Sequence, residues 1–143
     1  MATATPQQIA TIDDKHYNTA DFNENALAQL ANLRFTDEQL QLLGNQQSLA
    51  ATAQAAYLRV LADNLPEKKA AANKKKDVVT VDGNKYSIDD FNEQGRAQLS
   101  NVHFAEQEIT RLKNLQAVLQ TSRTQYGRAL SEEISKLTPV KPQ

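Results

Sequence analysis

The sequence predicts an α+β fold: two tandem copies of a β-hairpin, a short helix and a long helix, packed as one pseudo-twofold unit. The two long helices would form its coiled-coil-like core. Three observations lead there. The chain repeats itself without a gap, each half opens on a β-branched run followed by turn residues, and each half closes on a long proline-poor stretch with heptad spacing.

The repeat is read by laying Phe22 on Phe91, an offset of 69 residues. At that offset Tyr17 meets Tyr86, Asn23 meets Asn92, Leu30 meets Leu99, Phe35 meets Phe104, Tyr57 meets Tyr126 and Arg59 meets Arg128. Matches spread along the whole copy mark a tandem duplication, not one shared local motif. The boundaries follow: residues 1–66 for the first repeat, 67–77 for a lysine-rich linker, and 78–143 for the second repeat.

Each copy predicts the same elements in order. In the second, "VVTV", "DGN" and "KYSI" read as a hairpin over 78–88, because Asp-Gly supplies the positive φ angles of a two-residue loop. The first copy predicts a hairpin over 9–19, less tight because its "DDK" lacks the glycine. Asp21 and Asp90, each followed three residues on by a glutamate, predict N-caps for short helices over 21–32 and 90–101. Asn32 and Asn101 would end them. Thr36 with Gln39 predicts a fresh cap for a long helix over 36–65, with Phe35 stapled onto Leu40. Its counterpart spans 105–137 and keeps the staple as Phe104 with Ile109, but has Ala105 at the cap.

Along the long helices Leu43, Ala50 and Tyr57 recur every seven residues, as do Leu112, Leu119 and Tyr126. A second row beside them would run through Gln46, Ala53 and Val60, with Leu115, Ser122 and Ala129. Gly44, inside the first rod, would mark a bend or a close contact. The direction of the two rods relative to each other does not follow from the pattern.

The linker "PEKKAAANKKKD" holds five lysines and reads as a solvated tether. The chain as a whole carries a net charge of −1, which argues against a polyanion binder of the usual basic kind. Cysteine is absent, so there is no disulfide framework and no thiolate chemistry. The N-terminal "MATATPQQIATI" lacks a basic region followed by a long apolar run, so no signal peptide is expected. No apolar run reaches membrane-spanning length. The expected setting is the cytoplasm or a soluble particle such as a virion.

The second copy resembles a family of small uncharacterised proteins of bacteria and their phages. The resemblance rests on Asp82, Gly83 and Tyr86, on Ile88 to Phe91, on Phe104, on Glu108 with Leu112, and on Thr121, Arg123, Tyr126 and Leu130. The first copy keeps Thr52, Tyr57 and Leu61 but has Gln54 in place of the arginine and Gln39 in place of the glutamate. The resemblance implies a fold and the pairing of two units. It implies no active site.

Candidate sites are few. Asp82, Asn84, Asp90 and Glu93 mimic the spacing of an EF-hand, but Tyr86 and Ser87 stand at its fifth and sixth positions and no helix precedes it. The residues are better explained by hairpin and cap. His16 and His103 occupy unrelated positions with no partner at ligand spacing, so both read as surface residues and no metal or cofactor is expected. No catalytic motif is present, which predicts a protein that is not an enzyme and has no small-molecule substrate. Two sets of contacts remain. Tyr57, Arg59, Tyr126 and Arg128 would anchor a protein partner or a second copy, as tyrosine and arginine often do. Lys68, Lys69, Lys74, Lys75 and Lys76 could meet a polyanion, the alternative being a regulator that binds nucleic acid. Without interleaved aromatics, base stacking is not available there. The expectation is therefore a structural, protein-interaction component of a larger assembly.

Overall fold

The computed structural model describes residues 8–141. Residues 1–7, read above for a signal peptide, and 142–143 lie outside the described residues. The fold is α+β, with two small antiparallel hairpins and two long helices. The order is β1 (Ile9–Ile12), β2 (Lys15–Asn18), α1 (Glu24–Ala62), β3 (Val78–Val81), β4 (Asn84–Ser87) and α2 (Glu93–Ile134). A 3-10 turn precedes each long helix, at Thr19–Asp21 and Ile88–Asp90.

Both hairpins close through two-residue loops. β1 pairs with β2 from Ile9 opposite Asn18 to Ile12 opposite Lys15, and β3 with β4 from Val78 opposite Ser87 to Val81 opposite Asn84. Asp82 and Gly83 have φ of 49° and 79°, and Asp13 and Asp14 have φ of 51° and 63°. The first hairpin is thus as tight as the second, against the expectation from its missing glycine. Aspartate tolerates the left-handed region well enough to replace it.

The helices begin three residues later than expected, at Glu24 and Glu93. Asn23 Oδ1 accepts a hydrogen bond from Ala26 N at 2.7 Å, and Asn92 Oδ1 accepts one from Gly95 N at 2.7 Å. Asparagine, not Asp21 or Asp90, is the cap; the 3-10 turns take up the aspartates.

In place of a short and a long helix in each half, one helix runs unbroken. Asn32 and Asn101 are helical, and Thr36 is a buried interior residue. Its hydroxyl donates to Asn32 O at 2.7 Å, so it needs no other partner. Phe35 and Phe104 are exposed and staple nothing. The reason lies in packing. The burial of Ala26, Leu33, Thr36, Leu40 and Leu43 keeps one heptad phase through the expected break, so stopping the helix would orphan backbone groups without improving a contact.

The chain forms two compact units. One comprises Met1–Leu43 with Leu115–Gln143, and the other Gly44–Asn114. In the first, β1 and β2, the start of α1 and the end of α2 share a core of Ala10, Tyr17, Phe22, Ala26, Leu30, Leu130 and Ile134. Asn23 and Asn25 donate to Glu133, whereas Asp37 meets Arg123, so the α1 and α2 segments run antiparallel. In the second unit Leu61, Val81, Tyr86 and Phe91 form the core, and the Tyr86 and Phe91 rings meet edge-on at 6.0 Å. Asn92 donates to Asn64 Oδ1 there, at 3.1 Å. The expected first row of the seam is buried or half-buried along the helices, but Gln46 and Leu115 of the second row are exposed. Ala53, Val60, Ser122 and Ala129 of that row are half-buried, and α1 also buries or half-buries Leu40, Gln47, Gln54 and Leu61.

The lysine-rich linker is a strap, not a solvated tether. Ala70 N donates to Lys85 O at 2.8 Å, Lys74 Nζ to Ser87 Oγ at 2.7 Å, and Ile88 N to Asp77 O at 2.8 Å. Lys85 Nζ donates to Lys74 O. In the first unit the C-terminal tail does the same work, with Val140 N donating to His16 O at 2.7 Å.

Two glycines separate close approach from open space. A methyl at Gly95 would lie 2.9 Å from Cδ1 of Phe91 and 3.1 Å from Asn64 O. Around Gly44 an added methyl meets nothing within 4 Å, so that glycine marks no close contact. Gly95→Ala should therefore lose on the order of 1–2 kcal/mol by overpacking in spite of better helix propensity. Gly44→Ala should gain about 0.5–1 kcal/mol. Urea denaturation of both variants checks the opposite signs.

Candidate functional site

Helix α1 continues past Gly44 with a run of small residues, "SLAATAQAAY", and small side chains leave room against the facing segment of α2. In the Gly44–Asn114 unit this produces an apolar groove of about 310 Å³. Ala50, Ala53 and Tyr57 of α1 and Ala105 and Leu112 of α2 line it. Its lips are Leu49, 71% exposed, and Phe104, 67% exposed. Gln46 and Glu108 add polar atoms at its edge. Glu108 pairs with Arg111, whose hydrogen bond first and charge second hold the carboxyl below its ordinary range.

The other unit exposes a matching pair. Phe35 is 60% exposed and Val118 61% exposed, and these are the positions that align with Phe104 and Leu49 at the 69-residue offset. The expected staple missed these aromatics. Phe35 lies outside the stripe through Leu33, Thr36 and Leu40, and a heptad count that starts at Ala26 shows it facing away.

Of the expected protein contacts, Tyr57 is half-buried in the groove, while Arg59 is exposed and has no hydrogen-bond or ion-pair partner among the described residues. Tyr126 and Arg128 belong to the other unit, the first half-buried and the second exposed. Lys68, Lys69, Lys75 and Lys76 are exposed, but Lys74 is half-buried and tied to Ser87. His16 Nδ1 lies 2.9 Å from Thr11 Oγ1, and His103 is exposed. Among the described residues no three His, Asp or Glu side chains gather at metal-binding distance. Among them, too, no helix is long and apolar enough to cross a membrane.

Two further polar contacts fix the Met1–Leu43 and Leu115–Gln143 unit. Arg123 Nε donates to Asp37 Oδ1 at 2.6 Å, which raises the guanidinium pKa through that hydrogen bond first and the charge second. Glu133 accepts from Asn23 at 2.9 Å and from Asn25 at 2.7 Å, and these bonds lower its pKa below the ordinary carboxylate value. Compared with protein-family models, curated proteins and solved structures, the chain matches none.

Because the folded-state pKa of Glu133 is depressed, its contribution is present above its ordinary pKa of about 4.3 and is lost as pH falls through the lowered value. The difference in melting temperature between the native chain and Glu133→Ala should shrink as pH goes from 7 to 3. A difference that stays constant across that range would show that the charged form carries no stabilisation.

Proposed function

We propose that this chain is a non-enzymatic structural module that works by protein–protein contact, as an accessory component of a larger assembly such as a phage virion. The observation that carries this reading is the exposure of one large aromatic and one aliphatic side chain at aligned positions in each unit: Phe104 and Leu49, which share the groove, and Phe35 and Val118 in the other unit. Apolar surface of this kind is stabilised by removal from water, at roughly 25 cal/mol per Å² covered. Tyr57, held half-buried in the groove, supplies an aromatic anchor beneath the lips, and Arg59 and Arg128 supply charged groups for the polar rim of a contact.

The reading includes an ancestral duplication with pseudo-twofold pairing of the two copies. Residues that share work at the 69-residue offset support it: the caps Asn23 and Asn92, the buried rings Tyr17 and Tyr86 and Phe22 and Phe91, and the buried leucines Leu61 and Leu130. On this reading each copy needs the other's helix end. Residues 1–66 expressed alone should be poorly folded or should self-pair, and mixing with 78–143 should restore helical circular dichroism.

A second reading rests on the strap, which holds Lys68, Lys69, Lys75 and Lys76 exposed without ion-pair partners among the described residues. Those cations could meet a polyanion by charge alone. One experiment separates the two readings. Solution mass is measured, and co-purifying partners are identified, for the native chain, for Leu49→Ser with Phe104→Ser, and for the four lysines changed to glutamine. Loss of association in the first variant alone supports the assembly module. Loss in the lysine variant alone overturns it in favour of the regulator.

A further inference from the structure

Each unit has a cleft between its hairpin and its helices, and at matching positions the two clefts differ in chemistry. In the Gly44–Asn114 unit the cleft holds about 210 Å³, and Leu58, Val81 and Val102 line it. In the other unit it holds about 500 Å³. At the 69-residue offset Leu58 corresponds to Gly127, Gln54 to Arg123 and Ala62 to Ser131. Gly127, Arg123 and Ser131 all line the larger cleft, together with Arg128. The larger cleft lacks the leucine side chain, and it carries a guanidinium where the other copy has an amide and a hydroxyl where the other has a methyl.

We propose that this larger cleft binds a small organic anion, a carboxylate or phosphate carried on an apolar body. Its volume lies within the range of about 300–1,000 Å³ usual for small-ligand sites. Two guanidinium groups line it against one carboxylate, that of Asp13. Asp37 accepts from Arg123 Nε, which orients the side chain, and the terminal nitrogens have no hydrogen-bond partner among the described residues. Arg128 has no hydrogen-bond or ion-pair partner among the described residues and can present its planar fork to an anion. Asp13 is engaged by the Ser131 hydroxyl, which donates to its Oδ2 at 3.3 Å. Ile12 and Leu33 provide the apolar wall. Carboxylate and phosphate share the recognition chemistry, so the ligand is defined by charge and an apolar body of modest size.

The test uses the full chain, ¹⁵N-labelled and titrated separately with phenyl phosphate, benzoate and inorganic phosphate. Saturable amide shifts should appear around residues 11–13 and 123–131 with one or both organic anions, and the stronger of the two identifies the source chemistry. Arg128→Gln should weaken binding at least tenfold. Gly127→Leu restores the side chain of the smaller cleft at a position where an added methyl meets nothing within 4 Å. It should abolish binding without lowering the melting temperature. Absence of saturable shifts with both organic anions overturns the proposal, as do equal shifts with inorganic phosphate or unchanged binding in Gly127→Leu. If Gly127→Leu disturbs the helix, Arg128→Gln decides: unchanged affinity there overturns the site.

Discussion

A two-stranded hairpin of four-residue strands cannot stand alone in water, and the rest of this structure follows from that constraint. Each hairpin has one face to cover, and the helix that follows it in sequence covers only part of that face. In one unit Leu130 and Ile134, from the far end of α2, complete the core around Tyr17 and Phe22. In the other Leu61, from the end of α1, completes the core around Tyr86 and Phe91. Full burial of such a leucine is worth roughly 2 kcal/mol, a large share of what a small core supplies. The antiparallel course of the helix segments is therefore required, because it brings a helix end back to a hairpin. The straps act at the same place, since Ala70 and Val140 donate to the outer strands β4 and β2, which would otherwise present bare edges.

Much of the fold could be read in the sequence wherever the signal was both local and unopposed. Alternation and the Asp-Gly turn located the hairpins, because period-two burial and positive φ angles are decided within a few residues. The reading failed where a local signal competed with a longer one. Thr36 and Gln39 have the spacing of a capping box, yet Thr36 lies in the phase set by Ala26, Leu33, Leu40 and Leu43, and that phase wins. Glutamate three residues beyond Asp21 and Asp90 has the spacing of a cap, but the aspartates close 3-10 turns, and the glutamate itself is the first helical residue. The cap lies two residues on, at asparagine.

The candidate sites were legible only in part, for a different reason. A charge count shows lysines, not where their hydrogen bonds go, and Lys74 spends its ammonium on Ser87. Phe35 and Phe104 carried a familiar local role as staples, which hid their exposure. Arg128 was noticed through its repeat, yet the cleft beside it needs Thr11 to Asp13 brought across from a hairpin more than a hundred residues away. What the sequence did contain was the contrast of Gly127 with Leu58. A difference between aligned copies carries meaning only once both are known to face a cavity.

The two kinds of surface compare differently at the 69-residue offset. The exposed Phe and aliphatic positions keep their apolar character in both, although nothing in the core needs them: Phe35, Phe104, Leu49 and Val118 all lie off the buried stripe. Solvent-exposed apolar side chains add nothing to helix packing and cost solubility. Their exposure in both units is the apolar surface on which the proposed protein contact rests. The two clefts differ in size and lining. Leu58, 41% exposed, narrows one cleft, while Gly127 leaves the other open and gives up about 1 kcal/mol of helix propensity. That loss of propensity beside two guanidinium groups fits the proposed anion cleft.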